Sequence, residues 1–190
     1  MLAPASGLSL AAPSESALVE LCVSGDQSAW RAMYRDNYPT AAAFLRKLGV
    51  REHELDDATQ EVFAQLFRYL PSFRGDAQLK TWLYTLCVTQ ARRVRRWRAV
   101  SRTVQSWFSW DEPVTTLEWS AGEARKRVAD SLDSLNDAER LVLVLYEFEG
   151  LSGDEIARVA GCPVGTVWRR LHHARRRFAE ALEMDERSTA

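Results

Sequence analysis

The stretch from Gly150 to Phe178 constrains the fold more than any other, because it specifies two helices together with the turn that separates them. Ser152 followed three residues later by Glu155 forms a capping box, which satisfies the first free backbone N–H groups and starts a helix expected to run through about Ala160. Gly161 ends it. Pro163 suits the first position of a following helix, where its missing N–H has no partner to lose, and Val164 onward carries that helix. Val167, Leu171, Ala174 and Phe178 recur at helical spacing and form its buried stripe. Trp168, Arg169, His172, Arg175 and Arg176 fall on the other side, and no acidic residue occurs from Arg158 to Arg177. A solvated helix face normally mixes signs, whereas a face of one sign fits the phosphates and base edges of a major groove. The pattern is that of a DNA-reading helix-turn-helix.

Elsewhere the periodicity is helical and no convincing alternating strand occurs, so the fold class is all-α. Leu18, Val19, Leu21 and Cys22 begin one helix, Gly25-Asp26 punctuate it, and Ala29, Trp30, Met33, Tyr34 and Tyr38 continue an apolar stripe, with a further helix from Pro39 to Leu48. A long helix from near Glu54 is expected to bury Leu55, Val62, Phe63, Leu66, Phe67 and Leu70 before Pro71 stops it. After the loop around Phe73, a helix with Leu79, Trp82, Leu83, Leu86 and Val94 ends in the run Arg92 to Arg98. Trp82 and Tyr84, at helical spacing beside Leu83 and Leu86, read as core. Asn136 followed by Glu139 caps a helix carrying Leu141 to Tyr146 and Phe148.

This reading divides the chain into a disordered tail over 1–14, a helical unit over 15–98, a linker over 99–125 and a second helical unit over 126–186. The linker is marked by Pro113, by the aromatics Trp107, Phe108, Trp110 and Trp119, and by the acids Asp111, Glu112 and Glu118. The aromatics are too many for a solvated tether and should dock on something, the chain's own units included. A formal net charge of −1 hides a strong asymmetry, with acids crowded from Glu52 to Glu61 and arginines at the ends of both units. Cys22, Cys87 and Cys162 are odd in number and lack a C-x-x-C pair, so they read as reduced thiols rather than metal ligands. The first residues lack the cationic start of a signal peptide, and no run is long enough to span a bilayer. Neither cofactor nor metal is implied, and a cytoplasmic location is expected.

The order and spacing of several fragments then resemble a known family. They are Asp57-Ala-Thr-Gln60-Glu61-Val-Phe63, Phe73-Arg74-Gly75-Asp76 and Lys80-Thr81-Trp82-Leu83-Tyr84 in the first unit. In the second they are Leu135 to Arg140, Leu151-Ser152, Glu155-Ile156-Ala157, Gly165-Thr166-Val167, Arg170-Leu171 and Ala174-Arg175. From Leu18 to Leu182 the chain is similar to bacterial RNA polymerase sigma factors of the extracytoplasmic-function type. The resemblance implies sigma region 2 in the first unit, sigma region 4 in the second, and a non-catalytic subunit. Its implied partners are core RNA polymerase, promoter DNA and an anti-sigma factor, often membrane-attached. No inhibitory domain follows Leu182, so control in trans is expected.

The resemblance also assigns residues. Asp57, Gln60 and Glu61, which share one helix face at i, i+3 and i+4, dock on the polymerase clamp. Phe73, Arg74, Thr89, Arg92, Arg93 and Arg96 meet the −10 element, the arginines by neutralising phosphates. The recognition helix enters the major groove at −35, with Thr166, Trp168, Arg169, Arg170, His172, His173 and Arg176 in contact, and Arg169 suited to two hydrogen bonds with guanine. The acidic linker suits the positively charged RNA path of the polymerase. Thr89 replaces a usual Asn, Arg93 stands where Asp or Asn often follows, and Trp168-Arg169 replace a usual Lys-Ser.

Two other classes are consistent with parts of this pattern. A free-standing helix-turn-helix regulator would leave the Asp57-Gln60-Glu61 face and the second basic helix without a role. A metal-dependent nuclease would use Glu52, Glu54, Asp56, Asp57 and Glu61, but these sit too close along one helix to converge with a ligand from a second element.

Overall fold

The computed structural model describes residues 14–73, 75, 78–105 and 122–189, and among these no strand occurs. The tail over 1–13, the loop residues Arg74, Asp76 and Ala77, and residues 106–121 with the linker aromatics and acids lie outside the described residues.

Eight α-helices follow one another: α1 (Glu15–Val23), α2 (Gln27–Lys47), α3 (Glu52–Tyr69), α4 (Leu79–Gln105), α5 (Gly122–Asp133), α6 (Asp137–Leu143), α7 (Gly153–Ala160) and α8 (Val164–Thr189). Local chemistry sets many of their ends. The Asp26 carboxylate accepts from Ser28 N and Ala29 N and starts α2, and the Asn136 side chain does the same for α6 through Ala138 N and Glu139 N. The expected break at Pro39 is absent and α2 runs through it. An internal proline costs a helix about 3 kcal/mol. Here Ala29 and Met33 before it and Ala41, Phe44 and Leu45 after it are all buried in one core, which holds the two halves in line.

In the first unit α2, α3 and α4 pack on one another around Met33, Phe44, Leu66 and Tyr84, and α1 closes one end. Trp30 Nε1 donates to Cys22 O at 2.9 Å, which fixes α1 on α2. α4 continues to Gln105, past Arg98 and into the segment read as linker. In the second unit α8 packs against α5, α6 and α7 through Val167, Leu171 and Ala174. After α6 the chain makes one wider turn over Val144–Phe148, with Glu149 N donating to Val144 O, before Gly150 (φ +70°) turns it toward α7.

The two units share a contact. α4 packs on α7, and the buried apolar cluster runs continuously from one unit into the other.

Candidate functional site

The helix-turn-helix is built as its sequence dictates. The Ser152 hydroxyl accepts from Glu155 N, and the Glu155 carboxylate accepts from Ser152 N at 2.9 Å. The Ser152 hydroxyl also donates to the Glu155 carboxylate at 2.7 Å, and this bond, then the one from Ser152 N, holds the Glu155 carboxyl below the usual carboxylate range. Gly161 adopts the left-handed conformation at φ 65° and stops α7. Along α8, Val167, Leu171 and Ala174 are fully buried, and Arg169, His172, His173 and Arg176 are exposed on the opposite face. Thr166 is half-buried, and Arg170 turns aside with Nη1 3.5 Å from Cys162 Sγ.

Two of the exposed cations on α8 are tied to carboxylates of the same unit. Arg175 Nε donates to Glu147 Oε1 at 2.7 Å while its guanidinium lies 5.1 Å from the centre of the Tyr146 ring. Arg177 reaches Glu139 at 3.1 Å. Trp168, expected among the base-edge residues, leans toward α7: a Cβ on Gly153 would lie 2.6 Å from its ring, and Tyr146 meets it edge-on at 5.6 Å. The indole is 46% exposed, so one side remains open while the other seats α8 on α7.

On α4, Thr89, Arg92, Arg93 and Arg96 are all exposed and lie along one stripe. Thr89 Oγ1 donates to Thr85 O at 2.9 Å, leaving its oxygen lone pairs toward solvent. Phe73 is half-buried with its ring 5.3 Å from that of Trp82, so these two residues form one packed unit at the start of α4. Trp97, 63% exposed, extends the stripe at its far end and had no sequence signal beyond the arginines around it.

On α3, Asp57 and Gln60 are exposed, and Glu61 is drawn toward α4, where its carboxylate meets Arg93 at 3.3 Å. Sequence reasoning missed what lies beside Gln60. Phe67, expected in the core, is 62% exposed and packs at a tilt on Trp30 at 4.8 Å, and Tyr34 packs on Phe63 at 4.7 Å. With Gln27 and Arg31 these rings line an apolar groove of about 490 Å³. The available signal was the width of the α3 stripe: Phe63 and Phe67 sit at i, i+4 to one side of the line Leu55, Val62, Leu66. Gln60, at i, i+3 to Phe63, stands beside this aromatic groove, whereas Asp57 lines the groove between α3 and α4 with Glu61, Arg93 and Trp97.

Among the described residues no cluster of His, Cys, Asp and Glu could hold a metal ion, and no helix is long and apolar enough to cross a membrane. Cys22 and Cys87 are buried free thiols and Cys162 is half-buried; burial raises the thiol pKa of Cys22 and Cys87.

Comparison with known proteins finds relatives along both units. The sigma-70 region 2 family model matches residues 33–103, and the sigma-70 region 4 model matches residues 125–178. An RNA polymerase sigma-H factor of Pseudomonas aeruginosa is 31% identical over 178 residues, covering 87% of this chain and 92% of its own length. The extracytoplasmic-function sigma-E factor of Escherichia coli K12 is 30% identical over 177 residues, covering 85% and 90%. Among solved structures, CnrH in complex with the cytosolic domain of CnrY superposes with a TM-score of 0.69 at 25% identity, over 91% of this chain and 99% of that one. The sigma factor RpoE of Bartonella quintana, in complex with the anti-sigma factor NepR, shares the fold with a TM-score of 0.64 at 23% identity, over 82% and 97%.

Proposed function

Since the chain belongs to the extracytoplasmic-function sigma factors of RNA polymerase, we propose that it directs core polymerase to two-part promoters through the surfaces described above. The observation that carries this reading is the presence of two separate outward cationic helix faces, on α4 and on α8, in one chain with a polar and aromatic docking face on α3. A free-standing regulator needs the second of these surfaces alone.

In this reading Asp57 and Gln60, with the groove of Trp30, Tyr34, Phe63 and Phe67, receive the polymerase clamp. Glu61 contributes by holding Arg93 in place across the α3–α4 groove. Thr89, Arg92, Arg93 and Arg96 meet the −10 element, with Phe73 and Arg74 at its edge, and Trp97 offers an aromatic face to an unstacked base. Arg169, His172, His173 and Arg176 enter the −35 major groove, with Thr166 and Arg170 flanking them. Trp168 holds the recognition helix against α7 with one side and reaches DNA with the other. The protein is a cytoplasmic, non-catalytic subunit, and an anti-sigma factor controls it.

In vitro transcription from a genomic fragment library, with core polymerase in the presence and absence of the protein, tests this reading. New start sites preceded by a shared two-part sequence, seen only with both components, are expected. Sequence-specific duplex binding by the protein alone, with no new starts, would establish a free-standing regulator instead. Asp57→Ala with Gln60→Ala should lower core affinity at unchanged helix content.

A further inference from the structure

The break between α3 and α4 is gripped at both ends by the short first helix. α1 packs on the single turn Leu70–Ser72 that closes α3, where Leu70 is fully buried. At the other end Glu15, the first residue of α1, reaches across to α4: its Oε1 accepts from Leu79 N, the first N–H of that helix, at 2.8 Å. Leu79 is buried, and a backbone N–H left without a partner there would be costly.

The sequence gives Glu15 a smaller role. An acid in the first turn of a helix favours that helix's own N-terminus. Here Ser14 already caps α1 by accepting from Ala17 N at 3.3 Å. Glu15 therefore stands at the positive ends of two helices at once, and its hydrogen bond goes to the second. A bond from a backbone N–H to a carboxylate is about twice as strong as one between neutral groups. α1 itself is firmly seated, because Trp30 Nε1 donates to Cys22 O and both Val19 and Cys22 are buried in the core of the first unit.

Phe73, set by the reading above at the edge of the −10 element, lies between these two grips. Its N–H donates to Leu70 O at 3.0 Å, and its ring packs at a tilt on Trp82, in the first turn of α4, at 5.3 Å. Trp82 N donates to Gln78 O at 3.2 Å and closes that turn. When the first turn of α4 frays, Trp82 loses its place and Phe73 loses the ring it leans on. Thr89 lies about three turns further along α4, beyond the buried Leu83, Cys87 and Val88 that hold the helix there. The recognition helix α8 is in the other unit.

Resting on the reading of the chain as a sigma factor, we infer that Glu15 is a positioning residue for −10 recognition, holding the first turn of α4 and with it the Phe73–Trp82 pair. It touches no DNA and acts through the backbone of Leu79. The sigma-70 region 2 match begins at residue 33, so Glu15 lies outside the matched segment.

The test uses the full chain as wild type, Glu15→Ala and Glu15→Gln. Three quantities are read: hydrogen exchange at the Leu79 amide, initiation by the holoenzyme on a promoter against its single-base −10 and −35 variants, and affinity for core polymerase. Glu15→Ala should speed exchange at Leu79 about fivefold and lower −10 discrimination about threefold, with −35 discrimination and core affinity within about twofold of wild type. Glu15→Gln, whose carbonyl oxygen still accepts, should recover most of both losses. Should Glu15→Ala lose helix content, Glu15→Ser, whose hydroxyl suits the start of α1 but is too short to span to α4, is read by the same measurements. Unchanged exchange at Leu79, faster exchange with −10 discrimination intact, or equal losses at −10 and −35 overturns the inference. Absence of any initiation by the wild type would overturn the sigma reading instead.

Discussion

α4 and α8 are both long basic helices, yet they hold their arginines differently. On α8 the flanking cations are tied within the same unit, Arg175 to Glu147 and Arg177 to Glu139. The outward residues Arg169, His172 and His173 have no carboxylate partner among the described residues. On α4 the ties reach other elements: Arg93 to Glu61 and Arg98 to Glu54 on α3, and Arg95 to Asp137 in the other unit. The face of α8 is therefore set by its own small unit, whereas that of α4 depends on what is packed beside it.

The strongest way to break this contrast is to unseat α8 while leaving α4 alone. Gly153→Val would drive a side chain into the Trp168 ring, where even a Cβ comes within 2.6 Å. Overpacking of this kind costs about 1–3 kcal/mol. Loss of −35-dependent promoter binding is expected, with the first unit still folded by circular dichroism and core binding retained. Adding Trp168→Ala to Gly153→Val should be less than additive in urea unfolding, because the first change removes the contact that the second would lose. Additive losses would show that the indole does not seat the helix.

A sharper cut compares two arginines on α8. Arg169→Ala should cost about 1–3 kcal/mol at one −35 position and relax selectivity there. Arg177→Ala removes an ion pair in which Arg177 is half exposed but the Glu139 side chain is only 12% exposed; it should change binding on all sequences alike and cost about 1–3 kcal/mol of stability by leaving that carboxylate without this partner. Binding measured against a set of single-base promoter variants checks both. Equal behaviour of the two variants would mean that the outward face has been placed wrongly.

The same contrast explains what could be read in the sequence. The second unit was legible residue by residue: Ser152 and Glu155, Gly161 and Pro163 act within a few positions of themselves, and the stripe Val167, Leu171, Ala174 is buried as its spacing predicts. The all-α class followed from periodicity in the same way. In the first unit, spacing found α3 and α4 but could not place Phe67, whose exposure depends on Trp30 opposite it, nor the joining of Glu61 to Arg93, which are far apart in sequence. Helix breaking at Pro39 was misjudged because the core around Phe44 outweighs a local rule. Glu149, which joins the second unit to the first, carried no signal at all, since its partners Lys47 and Tyr84 lie in the other unit.

The smallest expected effect comes from a contact that braces α3, the helix to which α4 ties Arg93 and Arg98. The Tyr38 hydroxyl donates to Asp56 Oδ1 at 2.8 Å, and this bond, with burial and the nearby carboxylate charge, pushes its pKa up to about 12. The folded value lies above the unfolded value of about 10. The stabilisation is therefore fully present below about pH 10 and is lost as pH rises toward 12. The site is largely solvated, so Tyr38→Phe should cost at most about 1 kcal/mol at neutral pH. In urea unfolding, the gap between wild type and Tyr38→Phe should stay constant from about pH 6 to pH 9 and narrow above pH 10. A gap that widens in alkali would mean that the hydroxyl is not the donor in this pair. A narrowing gap accompanied by weaker −10 binding, with −35 binding unchanged, would show that bracing α3 is felt along α4 and not along α8.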